Sequence, residues 1–173
     1  MIMKKILMPD YMFRKFDDVT PEFLESIGVS ALIIDIDNTL APYEQPQPDE
    51  RIFAWVEGMR AHGVKMTLMS NNDRERVELF NRDLGLPAYA DCGKPKTKNL
   101  VLAIEKMGAT LENSASIGDQ LLTDALAAHL LGIPAYIVPP IKDKKNLFFR
   151  FKRLLEKPYV RKYKKLEKDG KVK

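Results

Sequence analysis

Five short apolar runs, separated by segments of helical periodicity, constrain the fold of this 173-residue chain more than any other feature. "SALIID" (30–35), "VKMTLMS" (64–70), "SASIGD" (114–119) and "AYIVP" (135–139) read as buried strands, with a shorter candidate at 88–92. Between them, Ile52, Trp55, Val56 and Met59 recur at i, i+3, i+4 and i+7, the spacing of one helix face. Asn72 and Glu75 form a capping-box pattern ahead of Val77, Phe80 and Leu84, with Gly85 as a stop. Further helices are predicted over 97–107 and 123–131, closed by Gly108 and Gly132. Strands that alternate with helices predict an α/β fold: a Rossmann-like parallel sheet with helices on both faces. With no repeat or low-complexity linker before residue 141, the pattern reads as one domain over 1–140 and a tail over 141–173. Residues 1–29 are expected to form an N-terminal extension packed on that domain.

Several broad classes are excluded early. A single cysteine, Cys92, cannot form an intramolecular disulfide and fits a reducing, cytoplasmic setting. Lys4 and Lys5 precede only three apolar residues before Pro9, too few for a secretory core, and no apolar run reaches membrane-spanning length. The net charge of +4 hides an asymmetry: residues 141–173 carry 14 Lys/Arg and 4 Asp/Glu, leaving an acidic body. Such a tail suits a polyanionic surface, either membrane or nucleic acid, or is simply solvated.

In a parallel sheet of this kind ligands gather at the carboxyl ends of the strands. Here the chemistry-bearing residues fall at those ends. "LIIDIDNT" closes a buried run with Asp35 and Asp37, two like charges on one side of an extended chain. They require a neutralising partner or a turn. The second run ends at Ser70 and Asn71, Lys94 follows the short third run in "GKPK", and Asp119 with Asp124 closes the fourth. Carboxylates in excess suit a hard cation such as Mg²⁺, and a lysine with a hydroxyl suits a phosphate beside it. Lys96 and Lys98 compete with Lys94 for that position; the proline directly after Lys94 favours it. His62, His129 and Trp55 read as structural, and Cys92, with no partner to activate it, as a bystander.

The set "DIDNT", "SNN", "GKPK" and "GDQLLTD" resembles, in order and spacing, the four motifs of haloacid dehalogenase (HAD) superfamily phosphatases. The opening "MPDYMFRKFDDVTPEFLESIGVSALIIDIDNTL" is similar to the YqeG group of that superfamily, related to phosphatidylglycerophosphate phosphatases. The resemblance implies Asp35 as the nucleophile that forms an aspartyl-phosphate. It implies Asp37 as general acid and then base, its backbone carbonyl also touching the metal. Thr39 takes a supporting role, Ser70 and Asn71 bind phosphate, and Lys94 neutralises the phosphate and the nucleophile. Asp119 and Asp124 complete an Mg²⁺ site. Dehalogenases of the superfamily lack the second aspartate and pumping ATPases need a membrane domain, so the resemblance implies a phosphatase. Neither "APYEQPQP" nor 90–97 is long enough for an inserted domain, which implies an enzyme without a cap domain, open to a large or membrane-held substrate.

The tail bears on that substrate. On a helical wheel Leu147, Phe148, Phe151, Leu154 and Leu155 share one sector, opposed by Arg150, Lys152, Arg153, Glu156 and Lys157. A basic amphipathic helix of this kind can lie in a membrane interface, which would place the protein peripherally on the inner face of the membrane. Alternatively the apolar sector packs on the domain. Pro158 is expected to end or kink the helix, leaving the lysine-rich end mobile. These features point to an Mg²⁺-dependent phosphomonoesterase acting on an anionic phospholipid, with phosphatidylglycerophosphate favoured by the resemblance. The alternatives are a nucleic-acid-end phosphatase and a non-catalytic RNA- or protein-binding module.

Overall fold

The computed structural model describes residues 6–142 and 147–170, without the side chains of Leu147 and Phe148; Lys4, Lys5 and residues 171–173 also lie outside the described residues. Six parallel strands form one sheet: β1 (Tyr11–Met12), β2 (Ala31–Ile34), β3 (Lys65–Met69), β4 (Ala88–Tyr89), β5 (Ser114–Gly118) and β6 (Ala135–Ile137). Their spatial order is β1-β6-β5-β2-β3-β4. From β2 the chain builds outward through β3 and β4, then crosses to the other side of β2 for β5 and β6. The order therefore reverses at β2, and the crevice beside it is where an open α/β sheet places its ligand.

Helices cover both faces. Helices α1 (Pro21–Ser26), α2 (Glu50–Ala61) and α3 (Arg74–Asn81) bury Leu24, Trp55, Met59 and Phe80 in one apolar cluster with Leu32 and Ile34. Helices α4 (Lys98–Lys106) and α5 (Leu126–Leu131) bury Leu100, Ile104 and Ala128 in a second cluster with Ile33. The split of Leu32 and Ile34 from Ile33 is the two-residue alternation of a strand covered on both sides. Two helices begin on aspartate caps: Asp49 Oδ1 accepts from the Ile52 amide at 3.0 Å, and Asp73 Oδ1 from the Arg76 amide at 2.9 Å. The cap of α3 is thus Asp73, one residue after the predicted Asn72, whose side chain is drawn toward the sheet edge instead.

Two further departures from expectation matter. The N-terminal extension supplies a strand, β1, which pairs with β6 through Tyr11 opposite Tyr136. A two-residue strand is too short to betray itself by periodicity. The segment predicted as helix from 123 begins earlier, as a π-turn over Leu121–Ala125 that runs into α5. Such wide turns recur at functional sites because they re-aim side chains.

The tail folds into a long helix, α6 (Leu147–Lys168), which continues through Pro158 instead of ending there. Tyr163, fully buried, accepts from the Met12 amide at 3.2 Å, while Tyr159 and Val160 join the second apolar cluster. Phe151, Leu154 and Leu155, members of the predicted apolar sector, stay exposed at 58%, 59% and 45%. The helix therefore packs on the domain with a different face from the one its hydrophobic pattern marks.

Candidate active site

Asp35 follows the last residue of β2, and the turn after it is closed by the amides of Thr39, Leu40 and Ala41 on the Ile36 carbonyl. Asn38 sits at φ +65°, a left-handed conformation that asparagine accepts more readily than most side chains. This turn brings Thr39 back over the strand end, where its hydroxyl donates to Asp35 Oδ2 at 2.9 Å. The Asp35 Oδ1 accepts from Lys94 Nζ at 2.8 Å.

Lys94 is the hub of the site. Its buried ammonium also donates to Asp124 Oδ1 at 2.6 Å and to the Met69 carbonyl at 2.9 Å. Asn71 fixes the lysine's backbone, its Oδ1 accepting from the Lys94 amide at 2.7 Å and its Nδ2 donating to the Lys94 carbonyl at 3.1 Å. Lys96 and Lys98 are exposed, so among the three lysines only Lys94 enters the site. Burial alone would push the Lys94 pKa down, but the Asp124 and Asp35 carboxylates outweigh it and hold the ammonium above its ordinary range.

Asp35, Asp119 and Asp124 each present an oxygen within 4.8 Å of the others, and all three are buried. Gly118 permits the approach of Asp124, because a Cβ at position 118 would overlap the Asp124 carboxyl. Burial raises the Asp35 pKa; Lys94 opposes that rise and Asp124 adds to it, with a net shift upward. Asp119 is likewise raised by burial against the opposing charge of Arg153. Crowded acids of this kind call for more positive charge than Lys94 and Arg153 bring. The donor set, all hard carboxylate oxygens, fits a divalent cation. Gln120 Oε1, buried beside Asp119 without a hydrogen-bond partner, adds an acceptor suited to a coordinated water.

The carboxyl of Asp37 lies outside that cluster. Its Oδ2 accepts from Ser70 Oγ at 3.3 Å and Asn72 Nδ2 at 3.2 Å, and its Oδ1 from Arg76 Nε at 3.2 Å and Nη2 at 3.1 Å. Two aspartates on one strand end thus have separate surroundings: Asp35 among acids and a lysine, Asp37 among neutral donors and an arginine. Ser70 is fixed in turn by the Asn72 amide, which donates to its Oγ at 2.9 Å.

The structure therefore brings Asp35, Thr39, Lys94, Asp119 and Asp124 into one hydrogen-bonded and charged group, with Asp37 and Ser70 beside it. Sequence reasoning missed Arg76, Asn72 and Arg153. Arg76 could have been found, since it lies in the first turn of the helix after a strand-end motif. Arg153 could not: it reaches the Asp119 carbonyl at 2.6 Å, and pairs with the Asp119 carboxylate, only because α6 folds back over the sheet edge. Cys92 is buried, with its thiol pushed up to about 11 by that burial.

The haloacid dehalogenase-like hydrolase family matches residues 9–132, which include β1 to β5 and every residue of the cluster. The chain belongs to that family. It is 36% identical over 156 residues to "Probable phosphatase YqeG" of Bacillus subtilis, covering 90% of this chain and 91% of that protein. Among solved structures, the cobalt-bound deoxy-D-mannose-octulosonate 8-phosphate phosphatase YrbI of Haemophilus influenzae aligns with TM-score 0.54 at 15% identity. That alignment covers 81% of this chain and 91% of YrbI. An uncharacterized protein from Listeria monocytogenes serotype 4b aligns with TM-score 0.53 at 16% identity, over 68% of this chain and 85% of that one. At such identities these structures corroborate the fold alone. In this HAD-like chain no domain is inserted between β2 and α2 or between β4 and α4, and among the described residues α6 is what borders the strand ends.

Proposed function

We propose that this HAD-family chain is an Mg²⁺-dependent phosphomonoesterase that works through an aspartyl-phosphate on Asp35. The observation that carries the reading is the position of the Asp35 carboxylate: at a strand end, bonded to Lys94 and Thr39, and facing two further carboxylates.

In this mechanism an Asp35 oxygen attacks phosphorus opposite the ester oxygen, and the bond to the leaving oxygen breaks as Asp37 gives that oxygen a proton. Water then attacks phosphorus, Asp37 takes its proton, and the bond to Asp35 breaks to release inorganic phosphate. Ser70, near Asp37 at the end of β3, holds the phosphoryl oxygens together with backbone amides around Asn71. Lys94 offsets charge on the nucleophile and on the phosphoryl group. Asp35, Asp119 and Asp124 would hold the cation, which when bound supplies charge neutralisation for the phosphoryl oxygens and a template for in-line attack.

The favoured substrate is phosphatidylglycerophosphate, on the strength of the YqeG-group resemblance, of strand ends with no inserted domain over them, and of α6. The exposed Phe151, Leu154 and Leu155, flanked by Arg150 and Lys157, suit the interface of an anionic membrane. That would make the protein peripheral on the cytoplasmic face, in line with the lack of any described helix long and apolar enough to cross a membrane.

A phosphate-release panel with Mg²⁺ tests this reading. It sets phosphatidylglycerophosphate in anionic vesicles against 3′- and 5′-phosphorylated oligonucleotides and soluble sugar phosphates. Preference for the lipid supports the proposal. Preference for oligonucleotides would transfer the substrate assignment to nucleic-acid ends, and no release from any monoester would refute the enzyme reading.

A further inference from the structure

Two of the three clustered acids, Asp119 and Asp124, lie on the loop that leaves β5 and on the π-turn that follows it. Inside this segment Asp124 Oδ2 accepts from the Gln120 amide at 3.1 Å, which ties the second acid to the residue after the first. Further bonds come from α6. Arg153 Nη1 donates to the Asp119 carbonyl at 2.6 Å, and its Nη2 donates to Asp119 Oδ2. One turn further on, Glu156 Oε1 accepts from the Leu122 amide at 3.1 Å. The two α6 side chains also hold each other, Arg153 Nη1 donating to Glu156 Oε2 at 3.0 Å. Asp119 and Glu156 are both buried, as charged groups are when they have partners.

A guanidinium that donates to the carbonyl and to the carboxylate of one residue fixes that side chain relative to its own backbone. Glu156 fixes the guanidinium in turn and offsets its charge, so the pair acts on the loop through geometry more than through repulsion of a cation. We infer that Arg153 is a positioning residue of the cation site, by which α6 presets Asp119 for a divalent metal. The family-matched residues end at 132, so this support is supplied by the tail. The inference rests on the reading of Asp35, Asp119 and Asp124 as the groups that hold the cation.

Mn²⁺ binding to the full-length protein tests it, with free Mn²⁺ measured by its aqua-ion EPR signal at a temperature where circular dichroism shows each variant folded. Arg153→Ala should bind Mn²⁺ ~10-fold more weakly than wild type, the scale of a lost orienting partner. Arg153→Lys should fall between the two, because one ammonium cannot span the carbonyl, the carboxylate and Glu156. Tyr163→Phe loosens α6 at β1 instead, where the hydroxyl meets the Met12 amide and the Asp10 carbonyl. It should lower the melting temperature and keep the wild-type Mn²⁺ affinity. Wild-type or tighter binding in either Arg153 variant, or an equal fall in Tyr163→Phe, would overturn the positioning role and leave the cation site in place. Absence of saturable Mn²⁺ binding by wild type would remove the cation reading and this inference with it. If the affinities behave as expected while no monoester is hydrolysed, the positioning role stands and the phosphomonoesterase reading fails.

Discussion

The strand-end cluster and helix α6 meet at one edge of the sheet, yet they are built by opposite rules. In the cluster Asp35, Ser70 and Asp119 each follow a buried apolar run, so the pattern that makes the strand also delivers these side chains to the edge. In α6 the apolar pattern points away: Phe151, Leu154 and Leu155 face outward, while docking is done by Arg153, Glu156 and Tyr163. Hydrophobic periodicity therefore locates the chemistry in the body but misplaces the contact surface in the tail. A helix face that stays apolar while exposed is costly unless something else uses it.

The two regions should differ most sharply at Asp35, the proposed nucleophile. Asp35→Asn should lower turnover by at least ~10³-fold on every substrate, because the covalent route closes. Loss of α6 should do something different in kind. A chain ending at residue 142 loses the buried Tyr163 and Glu156 anchors and the Arg153–Asp119 pair, so its melting temperature should fall by ~5 °C or more. Activity on a small aryl phosphate should fall with it, since Asp119 loses its orienting partner. An unchanged melting temperature and full aryl phosphatase activity in that truncated chain would show that the tail is separable from the chemistry after all.

A smaller effect should come from the outward face. Leu154→Ser with Leu155→Ser alters exposed residues, so thermal stability should stay within about 1 kcal/mol of wild type. Binding to anionic vesicles should nevertheless weaken several-fold, and wild-type binding should fall between low and physiological salt. Loss of stability without loss of vesicle binding would place these leucines in the fold instead of at a membrane.

The legibility of the molecule follows the same division. The order of helices and strands, the strand-end residues and the choice of Lys94 could be read because each rests on local periodicity or a short motif. The strand β1 could not, being two residues long and held by pairing with β6. The α3 cap was misplaced by one residue because Asn72 and Asp73 both satisfy capping chemistry, and only the draw of Asp37 on Asn72 separates them. Pro158 sits within α6 although proline removes one helical hydrogen bond; packing of Tyr159, Val160 and Tyr163 against the domain accompanies its acceptance.

The weakest expected effect concerns the far side of the sheet, where β1 is tied down. Both ring nitrogens of His129 face acceptors, the Ile6 carbonyl at 2.6 Å and Asp10 Oδ2 at 2.8 Å, an arrangement only the protonated imidazole satisfies by donating from both. Burial would lower the His129 pKa, but the Asp10 bond outweighs it and the net shift is upward. A raised folded value means the contribution is fully present below the ordinary ~6.5 and fades as pH rises through the folded value. Asp10 is shifted down, burial being outweighed by the His129 bond, so its share is lost on acidification. The melting-temperature gap between wild type and His129→Ala should therefore be widest near pH ~5–6 and narrow toward pH ~9. A gap independent of pH would mean the ring serves by packing alone.

The most direct test of the whole account is chemical capture of the covalent intermediate. Wild-type protein turned over on an aryl phosphate with Mg²⁺, quenched in acid and reduced with borohydride, should carry homoserine at position 35, the product of reducing an aspartyl-phosphate. The modification should vanish when Mg²⁺ is chelated and in Asp35→Asn. Steady turnover with modification at another carboxylate, or with none at all, would contradict Asp35 as the nucleophile.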